Sequence, residues 1–87
     1  MMDETLLTFP CEFPIKMMGR DTPEFGKTLR MLVEKHVGPI DDAAIRKALS
    51  RNGNFVSITI TVNAQSQEQL DGIYRDVTAH EEVLMAL

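Results

Sequence analysis

The chain has 87 residues, of which 44% are hydrophobic and 25% charged, and its formal net charge is −4. This length makes one small domain, and this composition belongs to folded globular chains rather than disordered ones. An acidic balance disfavours a nucleic-acid backbone or an anionic membrane surface as the partner.

Residues 1–8 read as a short lead segment before a single domain over residues 9–87. They begin Met1-Met2-Asp3-Glu4, without the basic n-region of a signal peptide, and no apolar run in the chain approaches the ~20 residues of a membrane helix. Two prolines in Phe9-Pro10-Cys11-Glu12-Phe13-Pro14 forbid regular ladder bonds at their own nitrogens. Cys11 is the one cysteine and has no internal disulfide partner. In so small a domain that points to a reducing compartment, hence the cytoplasm. Ile15-Lys16-Met17-Met18 reads as a short first strand. Phe13, Ile15 and Met17 share one face, and Gly19 is its end.

Thr22 is the expected N-cap of the first helix, with Pro23 in its first position. Phe25, Leu29, Leu32, Val33 and His36 follow at helical spacing, and Gly38-Pro39 is a stop signal. Residues 41–50 carry two competing signals. Ala43-Ala44-Ile45-Arg46-Lys47-Ala48-Leu49 has good helix propensity, yet the Asn52-Gly53 turn needs a strand before it. Ile45, Lys47 and Leu49 alternate with Arg46 and Ala48, which suits an edge strand protected by charge. Strand is therefore the expectation.

From Val56 to Val62, β-branched apolar residues alternate with Ser57, Thr59 and Thr61. This is the period of a strand with one buried face. Ser66-Gln67-Glu68-Gln69 has the form of a capping box, and Leu70, Ile73, Tyr74 and Val77 make a helical stripe. Asp71 and Arg75 stand one turn apart, as an outward ion pair would. Glu82-Val83-Leu84-Met85-Ala86-Leu87 reads as a closing strand.

The order strand, helix, strand, strand, helix, strand, with one apolar stripe per helix, predicts an α+β sandwich. Two right-handed strand–helix–strand units interleave into a four-stranded antiparallel sheet of order 4-1-3-2, with both helices on one face. This is the ferredoxin-like β-α-β-β-α-β architecture.

Phe9-Pro10, Phe13, Lys16 and Met18-Gly19, followed by Gly53-Asn54-Phe55 and the run Ser57 to Ala64, resemble the YbeD-like family of small bacterial proteins of unknown function. The resemblance spans Phe9 to Leu87. It implies a ferredoxin-like fold similar to ACT-type regulatory domains, and a link to lipoate metabolism. It implies no catalytic residues.

Two surfaces are candidate sites. The first is the loop Gly19-Arg20-Asp21-Thr22, similar to the ligand loop of ACT domains, although Glu24 stands where those loops carry a small glycine. A helix N-terminus there would offer free N–H groups to a carboxylate, and Arg20 a bidentate contact. An ordinary strand-to-helix turn has the same composition. The second is the sheet face away from the helices, with Lys16, Met18, Arg46, Phe55, Ser57, Thr59 and Thr61. Only Phe55 is aromatic there, which argues against an RNA-stacking platform. No cofactor is implied, and no histidines, cysteines or carboxylates stand at metal-ligand spacing. The expected function is a non-catalytic regulatory or protein-interaction module of the bacterial cytoplasm, with an unknown protein partner or a second copy. The alternative is an ACT-like sensor of an amino acid or other carboxylate, held by Gly19, Arg20, Asp21 and Thr22.

Overall fold

The computed structural model describes residues 8–50 and 52–87. Residues 1–7 of the expected lead segment, and Arg51 before the Asn-Gly turn, lie outside that range. The elements are β1 (Cys11–Arg20), α1 (Phe25–Val37), β2 (Ile45–Leu49), β3 (Phe55–Ala64), α2 (Gln67–Ala79) and β4 (Val83–Ala86), with a single 3-10 turn (Asp42–Ala44) before β2. The antiparallel sheet runs β2-β3-β1-β4, the expected order counted from the other edge.

The alternation along β3 does what its period requires. Val56, Ile58, Ile60, Val62 and Ala64 are buried, while Ser57, Thr59 and Thr61 face the other way and are half-buried. β1 matches it row by row, pairing Phe13 with Val62, Ile15 with Ile60 and Met17 with Ile58. Over these rows lie Phe25, Leu29 and Val33 of α1 and Leu70, Ile73 and Val77 of α2, all buried. Each large apolar side chain so buried contributes about 2 kcal/mol relative to exposure. Ser66 caps α2 as its box predicts, its Oγ accepting from the Gln69 N–H at 3.1 Å. The Gln69 side chain does not close the box on Ser66. Its Oε1 accepts from the Gln65 N–H at 2.8 Å, and its Nε2 donates to the His36 carbonyl at 2.8 Å, which joins the start of α2 to the end of α1.

Four local expectations are corrected. β1 is ten residues long and runs through both Pro14 and Gly19. The Lys16 N–H and C=O bond to Leu87, so even-numbered residues of β1 aim their backbone toward β4. Pro14 is one such residue, so its missing N–H takes no bond from the ladder between β1 and β3. Gly19 does not end the strand, because Phe25 lies directly on it. A Cβ at Gly19 would sit 2.5 Å from both the Phe25 ring and the Glu82 carbonyl oxygen. Thr22 does not cap α1. The Phe25 N–H bonds to the Thr22 carbonyl at 3.3 Å, which makes Thr22 to Phe25 a tight turn; the helix starts after it, with Glu24 in the cap position and no side-chain cap. Asp71 accepts from Gln67 Nε2 at 3.0 Å, one turn toward the N-terminus rather than toward Arg75. In the ambiguous stretch, only residues 45–49 are strand.

The register gives a direct test. Ile60 has no exposed surface, whereas Thr59 is half-buried on the opposite face. Ile60→Asp places an unpaired charge in the core and costs about 4 kcal/mol or more, enough to unfold a domain of this size. Thr59→Asp costs no more than about 1 kcal/mol. Urea denaturation of the two variants checks the difference.

Candidate functional site

The face of the sheet away from the helices is built by alternation along all four strands. Its rows follow from the pairing. Arg46, Thr59, Lys16 and Leu87 form one row across the sheet. Ala48, Ser57, Met18 and Met85 form the next. Phe55 and Arg20 pair at the end, where the Arg20 guanidinium lies 5.6 Å from the centre of the Phe55 ring, in cation–π contact. Phe55 is 37% exposed, Met85 51% and Leu87 62%, so the apolar part of this face is open to solvent. Lys16 and Arg46 flank it on one side and Arg20 at its end; the acid on the same face of β1, Glu12, lies toward the opposite end beside Asn63. Lys16, Met18, Arg46, Phe55, Ser57, Thr59 and Thr61 thus share one surface.

Met85 and Leu87 belong to this surface and were not legible as part of it. Every residue from Val83 to Leu87 is apolar, so period two carries no facing signal there. Only the pairing of Met85 with Met18 and of Leu87 with Lys16 decides it. Leu87 is fixed further by Tyr74, whose Oη donates to its carbonyl at 2.7 Å.

The first loop is divided rather than gathered. Gly19 lies beneath Phe25, inside the sheet. Asp21 turns toward β2, with its Oδ1 3.5 Å from Lys47 Nζ. Arg20 and Thr22 line a cleft of about 320 Å³ with Glu81, Glu82 and Leu84. The Thr22 hydroxyl is buried without a hydrogen-bond partner. Two carboxylates beside one guanidinium make this cleft a poor cradle for another carboxylate.

Two ion-pair clusters hold α1 in place. Arg30 reaches Glu34 at 3.2 Å, Asp42 at 2.6 Å and the Ile40 carbonyl, and Glu34 accepts the Ile40 N–H at 2.8 Å. The Ile40 hydrogen bond, then Arg30, hold the Glu34 carboxyl below its ordinary range. Between the helices, His36 Nε2 lies 2.6 Å from Asp76 Oδ2, with Lys35 at 3.6 Å. The His36 hydrogen bond, aided by the charge of Lys35, holds Asp76 low against the opposing effect of burial. His36 is therefore a half-buried interhelical bond, as its place on the apolar stripe allowed. Among the described residues, no three histidines, cysteines or carboxylates are grouped to hold an ion, and no helix is long and apolar enough to cross a membrane.

The architecture and its uncovered face define a ferredoxin-like α+β sandwich. The chain belongs to the family described as "Protein of unknown function (DUF493)", which matches residues 4–87, and the YbeD-like resemblance of the sequence agrees with that membership. A UPF0250 protein of Paraburkholderia phytofirmans is 42% identical over 86 residues, covering 99% of this chain and 97% of the relative. Another, from Nitrosomonas europaea, is 37% identical over 87 residues and covers both chains entirely. The solution structure of protein HP0495 from H. pylori superposes with a TM-score of 0.76 over 93% of this chain and 85% of that one, at 17% identity, which supports the fold.

Both clusters make stability depend on acid. A carboxyl whose folded pKa lies below its unfolded one contributes fully above the unfolded value, and the contribution is lost as pH falls through the folded one. Stability to urea is therefore expected to fall from about pH 4.5 downward. The double variant Glu34→Gln, Asp76→Asn starts lower at neutral pH and shows a shallower fall across the same range.

Proposed function

We propose that this protein is a non-catalytic docking module whose open sheet face binds an acidic surface of another protein. The observation that carries this reading is the composition of that face. Met18, Phe55, Met85 and Leu87 lie beside Lys16, Arg20 and Arg46, in a chain whose net charge is −4. Contiguous exposed apolar surface with a polar border is the usual form of a protein interface. The charges select the partner. Two copies stacked face to face would bring the same cations together, whereas an acidic surface would neutralise them. The ACT-like reading, a carboxylate ligand at the first loop, has less support, because Glu81 and Glu82 share the cleft of Arg20 and Thr22.

The test compares wild type with Phe55→Asp/Met85→Asp, which keeps the buried rows intact. Wild type used as bait should retain a protein that elutes at raised salt, and cross-links should fall on Lys16. The double variant should retain it at least about tenfold less, the expected cost of charging the centre of an interface. Equal retention by both forms would refute docking through this face, as would capture through α1 or α2 alone.

A further inference from the structure

A second surface lies at the free edge of β2, separate from the open face. We propose that this edge, together with the groove between β2 and α1, binds an extended acidic segment of another protein as an added strand.

The backbone is available for it. Among the described residues, β2 has β3 on one side and no strand on the other. The Ser50 N–H bonds to the Phe55 carbonyl at 2.8 Å, which sets the alternation of the hairpin. Ser50, Ala48 and Arg46 turn their backbone groups to β3, and Ile45, Lys47 and Leu49 turn theirs outward. The Ile45 N–H is taken by the Asp42 carbonyl at the close of the 3-10 turn. Lys47 and Leu49 therefore present donor and acceptor to an incoming strand, the requirement for β-strand addition.

The groove beside the edge has room for a side chain of that strand. It encloses about 300 Å³, with Ile45 and Ile58 as its floor and Gly26 in its wall. Gly26 is the second residue of α1, where glycine weakens a helix relative to alanine. Packing does not demand it. A Cβ there would meet only the Ile58 Cδ1, at an ordinary 3.6 Å. Gly72 of α2 differs, since its Cβ would press on the His36 ring at 3.1 Å. The space above Ile58 is thus kept open by a residue the fold does not need.

Charge defines the occupant. Lys27 and Lys47 stand at the groove, and Arg46 lies on the other face of the same strand. Asp42, also at the groove, is held by Arg30 at 2.6 Å; Lys47 lies 3.5 Å from Asp21, with 57% of its own side chain exposed. A second copy pairing antiparallel about the centre of β2 would set Lys47 against Lys47, which like charges disfavour. An extended segment with an apolar residue over Ile45 and Ile58, and acidic residues facing Lys27, Lys47 and Arg46, satisfies the whole edge.

A display library of random peptides of about seven residues, enough to span this strand, selected against the full chain tests it. Enriched peptides should carry acidic residues alternating around an apolar one. Their synthetic forms should shift the amide resonances of residues 26–30 and 45–49. Lys27→Glu and Lys47→Glu should each weaken binding about tenfold. Arg75→Glu, the same charge reversal on the exposed side of α2, should leave it unchanged. N-methylation of alternate peptide amides should abolish binding by removing the strand bonds. Gly26→Ala should raise the thermal midpoint by about 3–6 °C, and Gly26→Leu should weaken the peptides by filling the groove. The proposal is overturned by a library with no enrichment, by enrichment of basic or neutral sequences, by resonance shifts confined to the open face, or by binding indifferent to the lysines or to N-methylation.

Discussion

The antiparallel pairing of β1 with β3 is the constraint on which the other positions depend. It runs unbroken from Cys11 opposite Ala64 to Arg20 opposite Phe55. Side chains alternate with period two, so a slip of β1 by one residue against β3 would turn Ile15 and Met17 to solvent and carry Lys16 and Arg20 under the helices. The cost of that exchange keeps the register single. The same register assembles the candidate surface, because the residues between the buried ones are the cations and hydroxyls of the open face. Core and open face are therefore two readings of one pairing, and a change that disturbs the first must disturb the second.

The two edges of this sheet are handled differently. β4 covers β1 only from Lys16 to Gly19, with a register shift after Met18. Where that cover ends, Pro14 has no N–H to leave unsatisfied. At the other edge, β2 carries Arg46 and Lys47, charges that discourage pairing between identical chains. Both devices limit self-assembly. Among the described residues, only the second leaves the backbone open, which is the premise of the strand addition proposed above.

How much of this was legible in the sequence follows from where local signals suffice. The β3 alternation, both helical stripes, the Ser66 cap and the glycine stop of α1 depend on neighbours a few residues away, and all appear in the structure. Strand over helix at residues 45–49 was legible only because the hairpin demanded a partner. The misses are tertiary. Gly19 looks like a strand end until Phe25 is seen resting on it. Thr22 looks like a cap until its carbonyl closes a turn with Phe25. The first loop looks like one site, but alternation sends Arg20 to the open face while Asp21 reaches Lys47. A contiguous string of residues at the end of a strand is divided between two sides of the sheet, and no composition rule records that.

The distribution of charge links the fold to partner choice. Glu34, Asp42 and Asp76 are engaged within the molecule, holding α1 to the chain that follows it and to α2. Lys16, Arg20 and Arg46 border the open face, and Lys27 and Lys47 the edge groove; these are five of the nine basic residues. A chain that is acidic as a whole thus gathers five cations beside two of its surfaces, the open sheet face and the β2 edge groove. At physiological ionic strength, fields fade over about 8 Å. The net charge therefore acts weakly on a partner at a distance, and the local cations act once contact is made. In the proposed docking such a surface would gain little from long-range steering, and its selectivity would arise in the bound state, where acids on the partner meet particular cations in register. On the docking reading proposed above, the same cations would repel a second copy stacked face to face, and the open apolar face would suit an acidic partner instead.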